Sequence, residues 1–172
     1  MTTHLSDDVN TARVRPLTPA DVPAFLDLID ALADYEHLPR PTADARERLT
    51  RDALAEPPRY QVLLAERAGR VVGYAVYFFT YSTFLARPTL YLEDIFVLEA
   101  ARRGGAGLAL MRELARVAVR AGCGRMEWSV LHWNTPAMAF YDQLGAAPLK
   151  EWQPYRMTGE EIRKLAEDGL RI

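Results

Sequence analysis

A cluster of glycines beside two arginines is the segment whose residue types most clearly suggest chemistry. Residues 102–107 read Arg-Arg-Gly-Gly-Ala-Gly and lie between a strongly β-forming run and a strongly helical one. A glycine-rich turn at the start of a helix exposes backbone N–H groups beside the positive end of the helix dipole, which suits a pyrophosphate. Side chains would obstruct the ligand, so glycine is the expected residue type. Alternatively, the glycines only turn the chain and let the helix pack closely, and the segment alone leaves both interpretations open.

The same turn lacks the features of two other phosphate-binding motifs. No Lys-Ser or Lys-Thr pair follows its glycines, as a Walker loop requires. Its glycine spacing does not match the dinucleotide pattern G-x-G-x-x-G, and no parallel β-α-β unit precedes it. The sequence therefore argues against a nucleoside triphosphate or a nicotinamide site.

Two further groups of residues could carry proton chemistry. Glu93 and Asp94 interrupt an otherwise apolar β run, which is unusual in a central strand. Glu93 can attract a cation and accept a proton, or it can simply pair with an arginine. Strand alternation predicts that Asp94 points to the opposite face, so it receives no catalytic role. The pair Phe140-Tyr141 offers a phenol, although aromatic pairs near helix ends often serve packing alone.

Hydrophobic periodicity and capping signals predict the elements that position these residues. Their order is a strand, two helices, an antiparallel meander, and then strand, helix, strand, helix, strand and helix. This order predicts a mixed α+β fold with helices on a largely antiparallel sheet. Residues 1–11 are expected to be a disordered tail before a single domain at 12–172. The predicted strands are 12–16, 60–67, 71–81, 89–97, 125–131 and 149–157, and the predicted helices are 18–34, 42–55, 105–121, 137–144 and 158–168.

Composition excludes several classes of protein. The net charge is −2, which gives no electrostatic reason to expect a nucleic-acid partner. Cys123 is the only cysteine, so no internal disulfide forms, and a reducing cytoplasm is the expected location. No apolar run is long enough for a membrane span, and no targeting signal is recognised near Met1. His37 and His132 lack a suitably spaced partner, so no metal site is expected.

Five motifs in a fixed order, with two further segments at 35–36 and 74–81, give the chain a family resemblance. Read from Arg102, the turn matches R-x-x-G-x-G, the acetyl-coenzyme A signature of the GNAT N-acetyltransferase superfamily. From about Val14 to Ala166 the chain closely resembles the diamine (spermidine/spermine) and thialysine N-acetyltransferases. The supporting segments are 35–36, 74–81, 91–97, Trp133-Asn134 with Pro136, Phe140-Tyr141 and Gly145-Ala146.

This resemblance implies a GNAT fold, with a twisted, mostly antiparallel sheet of six to seven strands and helices on both faces. A splayed pair of strands would expose main chain to the pantetheine arm of acetyl-coenzyme A, and homologues imply a homodimer. The backbone N–H groups of Ile95 and Val97 would hold the thioester carbonyl and the pantetheine. Asn134 would bind the cofactor, and it could cap a helix as well. The residues assigned to the cofactor are Ile95, Phe96, Val97, Arg102, Arg103, Gly104, Gly105, Ala106, Gly107, Leu108, Asn134, Pro136 and Ala137.

The resemblance also implies how acetyl transfer would proceed. An alkylammonium has a pKa of about 10 and must lose a proton before its nitrogen can attack a thioester. Glu93 would accept that proton, directly or through water, and Tyr141 would act as the general acid for the leaving thiolate.

An acceptor pocket for a cationic amine should be acidic and aromatic. The segment around Glu151 holds fewer carboxylates than in the diamine enzymes, so a shorter amine or an amino acid side chain is as plausible an acceptor as a polyamine. A non-catalytic acyl-coenzyme A sensor and an enzyme acting on a protein or antibiotic amine are the alternatives. The residues carried over to the pocket are Tyr35, Glu36, Glu93, Glu127, Trp128 and Glu151.

Overall fold

Five strands, all N-terminal to Ser129, pair in chain order into one sheet. The computed structural model describes residues 12–167. Pairs between the first four strands are antiparallel, and the last pair is parallel. The predicted mixed, mostly antiparallel fold is therefore confirmed. The strands are β1 (Arg13–Pro16), β2 (Gln61–Arg67), β3 (Arg70–Ser82), β4 (Arg87–Val97) and β5 (Arg125–Trp128).

Five α-helices accompany the sheet within residues 12–167, and all five were predicted. A 3-10 turn precedes the first helix, where the Thr18 backbone N–H donates to the Asp21 carboxylate over 2.9 Å. At its other end, His37 adopts a left-handed φ of 58° and ends the helix. The helices are α1 (Val22–Glu36), α2 (Ala43–Ala53), α3 (Ala106–Arg120), α4 (Thr135–Gln143) and α5 (Gly159–Glu167).

Helices cover both faces of the sheet, as expected. Alternating residues of each strand point to opposite faces, so Val62 and Leu64 share one face of β2. These two side chains join Phe25 and Leu28 of α1 in a buried cluster. On the other face, α3 packs against β1 to β4 and buries Leu110 and Leu114, among others.

The prediction of six to seven strands is wrong for the described residues, because residues 149–157 form no strand. Pro154 lacks the N–H group that a strand ladder needs, and every side chain of this segment is exposed. The last strand of the sheet is also shorter than predicted. It ends at Trp128 rather than Leu131.

Contacts divide the chain into two compact units, which meet in sequence at Ser129 and Val130. The first unit holds the sheet with α1, α2 and α3, and the second holds α4 and α5. The predicted tail at residues 1–11 lies outside the described residues, and the single domain at 12–172 stays a prediction. Among residues 12–167, no helix combines the length and apolar character needed to cross a membrane.

Candidate active site

One edge of β4 is open over its second half. Pairing between β4 and β5 ends at Leu92 and Trp128, whereas β4 continues to Val97 with β3 alone as its partner. The N–H of Leu98 donates to the Val72 carbonyl of β3 over 2.9 Å. Backbone N–H groups alternate in direction along a strand, so those of Ile95 and Val97 point away from β3. The open edge therefore presents two backbone donors.

A tight turn follows this edge and leads into α3. Arg103 and Gly105 both have left-handed backbones, with φ values of 63° and 79°, a conformation that favours glycine. The first helical hydrogen bond runs from the Ala109 N–H to the Gly105 carbonyl over 2.9 Å. The N–H groups of Ala106, Gly107 and Leu108 precede it and have no partner within the helix. The predicted glycine-rich turn thus forms at the positive end of a long helix dipole.

Arg102 connects this turn to the end of α1. Its Nε donates to the Val97 carbonyl over 3.0 Å. The guanidinium carbon lies 4.7 Å from the centre of the Tyr35 ring and 5.6 Å from that of Phe96. The structure therefore brings Tyr35, predicted for the acceptor pocket, to the turn predicted for the cofactor. The Phe96 side chain belongs to the buried cluster, which leaves only its backbone for a ligand.

A bulge in β4 lies at the two adjacent carboxylates. Val76 of β3 lies opposite Asp94, and the next residue, Tyr77, lies opposite Leu92. Glu93 is therefore the extra residue of a β-bulge. A bulge interrupts the two-residue period here, and Glu93 is exposed whereas Asp94 is partly buried. That the two side chains point to opposite faces stays a prediction.

Asp94 is the residue that the sequence interpretation missed. The pKa of its carboxyl is raised to about 6. Burial is the largest cause, and the negative charges of Glu93 and Glu36 add to it. These three carboxylates therefore interact electrostatically within the first unit. The signal was present in the sequence as two acidic residues within an apolar strand, but the alternation rule removed the second one from consideration.

A buried phenol lies beside the same carboxylates. Tyr74 is 0% exposed, and its ring packs edge-on against Phe25 with 5.3 Å between centroids. Burial raises the pKa of Tyr74, and the charges of Asp94 and Glu36 add to the effect. Its hydroxyl has no hydrogen-bond partner within residues 12–167. Burial also raises the pKa of Glu36. The carboxylates of Glu36 and Asp94 are therefore partly shielded from water. Their negative charge raises the free energy of the folded protein unless a cation is bound.

Other predicted pocket residues have different surroundings. The Glu127 carboxylate forms an ion pair with Arg125 at 2.8 Å. Trp128 is half-buried at the point where β5 ends. Glu151 belongs to the second unit and is exposed in a segment without regular structure. Within the first unit, the structure gathers Tyr35, Glu36 and Glu93, and it adds Asp94.

The second unit carries the predicted general acid and the predicted cofactor asparagine. Asn134 caps α4, accepting a hydrogen bond from the Ala137 N–H over 3.3 Å, and Pro136 lies in the first turn of that helix. Tyr141 lies on the same helix, with 5.6 Å between its ring centroid and that of Phe140. Burial raises the pKa of Tyr141, so its phenol keeps its proton at neutral pH. No group of three potential metal ligands occurs within residues 12–167.

Comparison with known proteins gives this arrangement a family. The model of the acetyltransferase (GNAT) family matches residues 25–146, a span that holds the open edge, the turn and α4. The chain belongs to this family and is an acyltransferase.

Individual relatives narrow the family further. The chain is 38% identical over 164 residues to a thialysine N-epsilon-acetyltransferase of Bos taurus, covering 89% of this chain and 96% of the relative. It is 40% identical over 123 residues to an L-ornithine N5-acetyltransferase of Arabidopsis thaliana, covering 70% of this chain and 53% of the relative. The expected resemblance to the thialysine subfamily is therefore confirmed.

Solved structures support the fold. An integron cassette protein from the mobile metagenome of V. cholerae superposes with a TM-score of 0.78 at 24% identity, covering 92% of this chain and 99% of that one. The expected GNAT fold is confirmed, with five strands in the described part of the chain.

Proposed function

We propose that this chain transfers an acetyl group from acetyl-coenzyme A to the terminal primary amine of a small cationic molecule, by direct attack in a ternary complex. The observation that carries the proposal is the group of three interacting carboxylates beside the open edge of β4. Membership in the acetyltransferase family supports the acyl donor, and the carboxylates support the charge of the acceptor.

The first unit offers a fitting surface for acetyl-coenzyme A. The N–H groups of Ala106, Gly107 and Leu108 would hold its pyrophosphate, because they lie at the positive end of α3. The outward N–H groups of Ile95 and Val97 would hold the pantetheine and the thioester carbonyl. When bound, the cofactor supplies an activated acetyl group. Phe96, Arg102, Arg103, Gly104, Gly105, Asn134, Pro136 and Ala137 remain proposed cofactor contacts.

Glu93 is proposed to take the proton from the ammonium, directly or through a water molecule. Its exposed position leaves it accessible to a substrate, and the neighbouring Asp94 would hold the cation while the proton leaves. The N–H of Ile95 would stabilise the negative charge that develops on the carbonyl oxygen as the amine attacks.

Tyr141 is proposed to donate its proton to the sulfur as the carbon–sulfur bond breaks. A phenol with a raised pKa is protonated at neutral pH and can therefore act as an acid. The nitrogen loses its second proton after the attack, and this proton restores the Tyr141 phenol through water. The products are the acetylated amine, now an amide, coenzyme A as its thiol, and the one proton taken up by Glu93.

The acceptor is proposed to be the side-chain amine of a short basic amino acid, or a short diamine. Both named relatives act on amino acids with a terminal amine, thialysine and ornithine. The ion pair between Glu127 and Arg125 removes one carboxylate that a longer polyamine would need. Tyr35, Glu36, Trp128 and Glu151 remain proposed substrate contacts.

A substrate screen tests this proposal. Thiol release from acetyl-coenzyme A would be measured with thialysine, ornithine, lysine, putrescine, spermidine and an aminoglycoside. We expect kcat/KM to be highest for the short amines. A protein that bound coenzyme A in calorimetry but acetylated none of these amines would support the acyl-coenzyme A sensor instead, and acetylation of the aminoglycoside or of lysine-containing peptides alone would support the other alternative.

Tyr141→Phe tests the general acid with a single oxygen removed. We expect kcat to fall about 100-fold, in the range for loss of a general acid, with binding of coenzyme A unchanged. Tyr155→Phe is the matched control, because Tyr155 is an exposed tyrosine of the same unit. Equal kcat values for the two variants would contradict the assigned role.

We also propose that the chain forms a homodimer. Within the second unit, Leu149, Trp152, Tyr155 and Met157 are all exposed, and contiguous exposed apolar residues often mark an interface. Light scattering after size-exclusion chromatography would give twice the mass of 19.4 kDa if this is correct, and a monomer mass would exclude it. The cytoplasmic location likewise stays a proposal, which microscopy of the tagged protein would test.

A further inference from the structure

Gly104 lies in close contact with an arginine from a distant part of the chain. A Cβ built on Gly104 would lie 2.2 Å from Nη1 and 3.0 Å from Cζ of Arg67. Both distances are shorter than a normal non-bonded contact, so a side chain at this position would require the guanidinium to shift. Gly104 also lies between the two left-handed residues of the turn, Arg103 and Gly105. Arg67 therefore packs on the middle of the proposed pyrophosphate turn.

The β2–β3 hairpin fixes the starting point of the Arg67 side chain. Arg67 is the last residue of β2 and pairs with Arg70, the first residue of β3. Ala68 and Gly69 connect them with left-handed φ values of 49° and 74°, the geometry of a tight type I′ hairpin turn. The Arg67 side chain therefore starts from a backbone position fixed by the sheet.

A second contact joins the same hairpin to the chain segment between β4 and the turn. The register between β2 and β3 shifts so that Glu66 lies opposite Val71 and Ala65 opposite Gly73, which makes Val72 the extra residue of a bulge. The Val72 carbonyl accepts a hydrogen bond from the N–H of Leu98, the residue that directly follows β4. The hairpin thus contacts the chain at two places after β4: at Leu98, and at Gly104 within the turn.

We propose that Arg67 is a positioning residue for coenzyme A, which holds the 102–107 turn in the shape that binds the pyrophosphate. This inference rests on the proposed function, since it assumes that the turn binds this ligand. The two left-handed residues of the turn can also adopt other backbone conformations. The guanidinium packed on Gly104 reduces the number of conformations that the turn can adopt. A pre-shaped turn binds its ligand more tightly because less conformational entropy is lost on binding.

The first experiment measures the Kd of coenzyme A by calorimetry for Arg67→Ala and for Arg70→Ala. The two variants lose the same charge from the same hairpin, but Arg70 is exposed and lies on the other strand. We expect Arg67→Ala to weaken binding about tenfold, a typical effect of losing one positioning contact, and Arg70→Ala to change it less than about twofold. Equal losses in both variants would assign the effect to net charge and overturn the proposal.

Steady-state kinetics separate positioning from a general loss of structure. For Arg67→Ala we expect the KM for acetyl-coenzyme A to rise about tenfold, while the KM for the amine stays unchanged. The melting temperature of each variant without ligand shows whether it is folded at the assay temperature. A folded Arg67→Ala protein with the wild-type Kd and KM would overturn the proposal, whatever its melting temperature.

A double-mutant cycle tests the contact itself. In the wild-type background, the new methyl group of Gly104→Ala displaces the guanidinium, and we expect about tenfold weaker binding. In the Arg67→Ala background the remaining near neighbour of that methyl is the Ala101 carbonyl at 3.3 Å, so the same substitution should cost less than about twofold. Equal costs in both backgrounds would mean that the methyl obstructs the ligand directly, and the positioning role would be wrong.

These results are distinguishable from a failure of the proposed function. If the wild-type protein did not bind coenzyme A, the proposed function would be wrong and the role of Arg67 would fall with it. If the wild-type protein bound coenzyme A and Arg67→Ala bound it equally well, only the role of Arg67 would be wrong.

Discussion

The two halves of β4 differ in their surroundings more than in their residue types. The first half, Thr89 to Leu92, pairs with β3 on one side and β5 on the other, and three of its four side chains are buried. The second half, Glu93 to Val97, pairs with β3 alone and carries two carboxylates. One strand thus serves as core in its first half and as a candidate site in its second. The end of β5 at Trp128 separates the two.

The largest effect is expected from Leu90→Ala, in the first half of β4. We call this the closed half because strands pair with it on both sides, and the second half the open half. Leu90 is 0% exposed, and truncating a fully buried leucine costs about 3–5 kcal/mol through lost burial and the cavity left behind. Urea unfolding at pH 7.5 would measure the loss. Ile95→Ala in the open half is the comparison. Because Ile95 is only half-buried, we expect it to lose about 1 kcal/mol, and equal losses would contradict the distinction between the halves.

Glu93→Gln should lower activity without lowering stability. Removing a general base typically costs about 100-fold or more in rate, so we expect kcat/KM to fall about 100-fold, equivalent to roughly 3 kcal/mol. Its urea midpoint should be no lower than that of the wild type, because Glu93 is exposed and its negative charge repels Asp94. Glu99→Gln is the control, since Glu99 is an exposed carboxylate in the following 3-10 turn. A loss of similar size in Glu99→Gln would argue for a general charge effect instead.

Asp94→Asn should increase the stability of the protein and lower its activity. The pKa of Asp94 is raised to about 6 in the folded state, so the stability that its protonated form provides is present below about pH 4 and is lost as the pH rises through 6. At pH 7.5 we therefore expect the substitution to increase the free energy of unfolding by about 1–2 kcal/mol.

The pH dependence distinguishes this effect from better packing. Below about pH 3 the gain from Asp94→Asn should disappear, because the carboxyl is then protonated in both the folded and the unfolded state. The acid limb of kcat/KM near pH 6 should also disappear, because no carboxylate is left at this position to hold the cation. A gain in stability that is independent of pH would indicate that the charge of Asp94 is not its cause.

The smallest effect is expected from Thr89→Val in the closed half. Thr89 is fully buried, and its hydroxyl has no hydrogen-bond partner within residues 12–167. Replacing the hydroxyl by a methyl group of similar shape removes an unsatisfied polar atom, so we expect a gain of at most about 1 kcal/mol. Thermal unfolding would detect it, with Thr80→Val as an exposed β3 control. A clear loss of stability would reveal that the Thr89 hydroxyl is satisfied.

Much of the fold could be predicted because its signals are local. The glycine-rich turn lies before α3, Gly122 follows the end of that helix with a φ of 68°, and Asn134 caps α4. Each depends on residues that are neighbours along the chain. The strand predicted at 149–157 failed for the opposite reason. Aromatic residues such as Trp152 and Tyr155 indicate a strand only where a partner edge accepts it.

The candidate site was predicted in its residue types but not in its arrangement. The sequence supplied the turn, Glu93, Tyr35 and Tyr141, largely through an ordered set of motifs. It gave Asp94 no role, because the burial of this carboxyl and its interaction with Glu36 depend on tertiary contacts. It also missed Arg67, because contact with Gly104 depends on residues 37 positions apart in the printed sequence.

The sequence alone determined which elements form and which residues could carry charge and protons. Helix starts, turns and apolar periodicity depend on interactions within a few residues, so they can be read along the chain. Only the tertiary structure decided that β5 ends where β4 continues, that Asp94 is buried near Glu93 and Glu36, and that Arg67 packs on the turn. Those features depend on strand register and burial between distant segments, which local sequence does not specify.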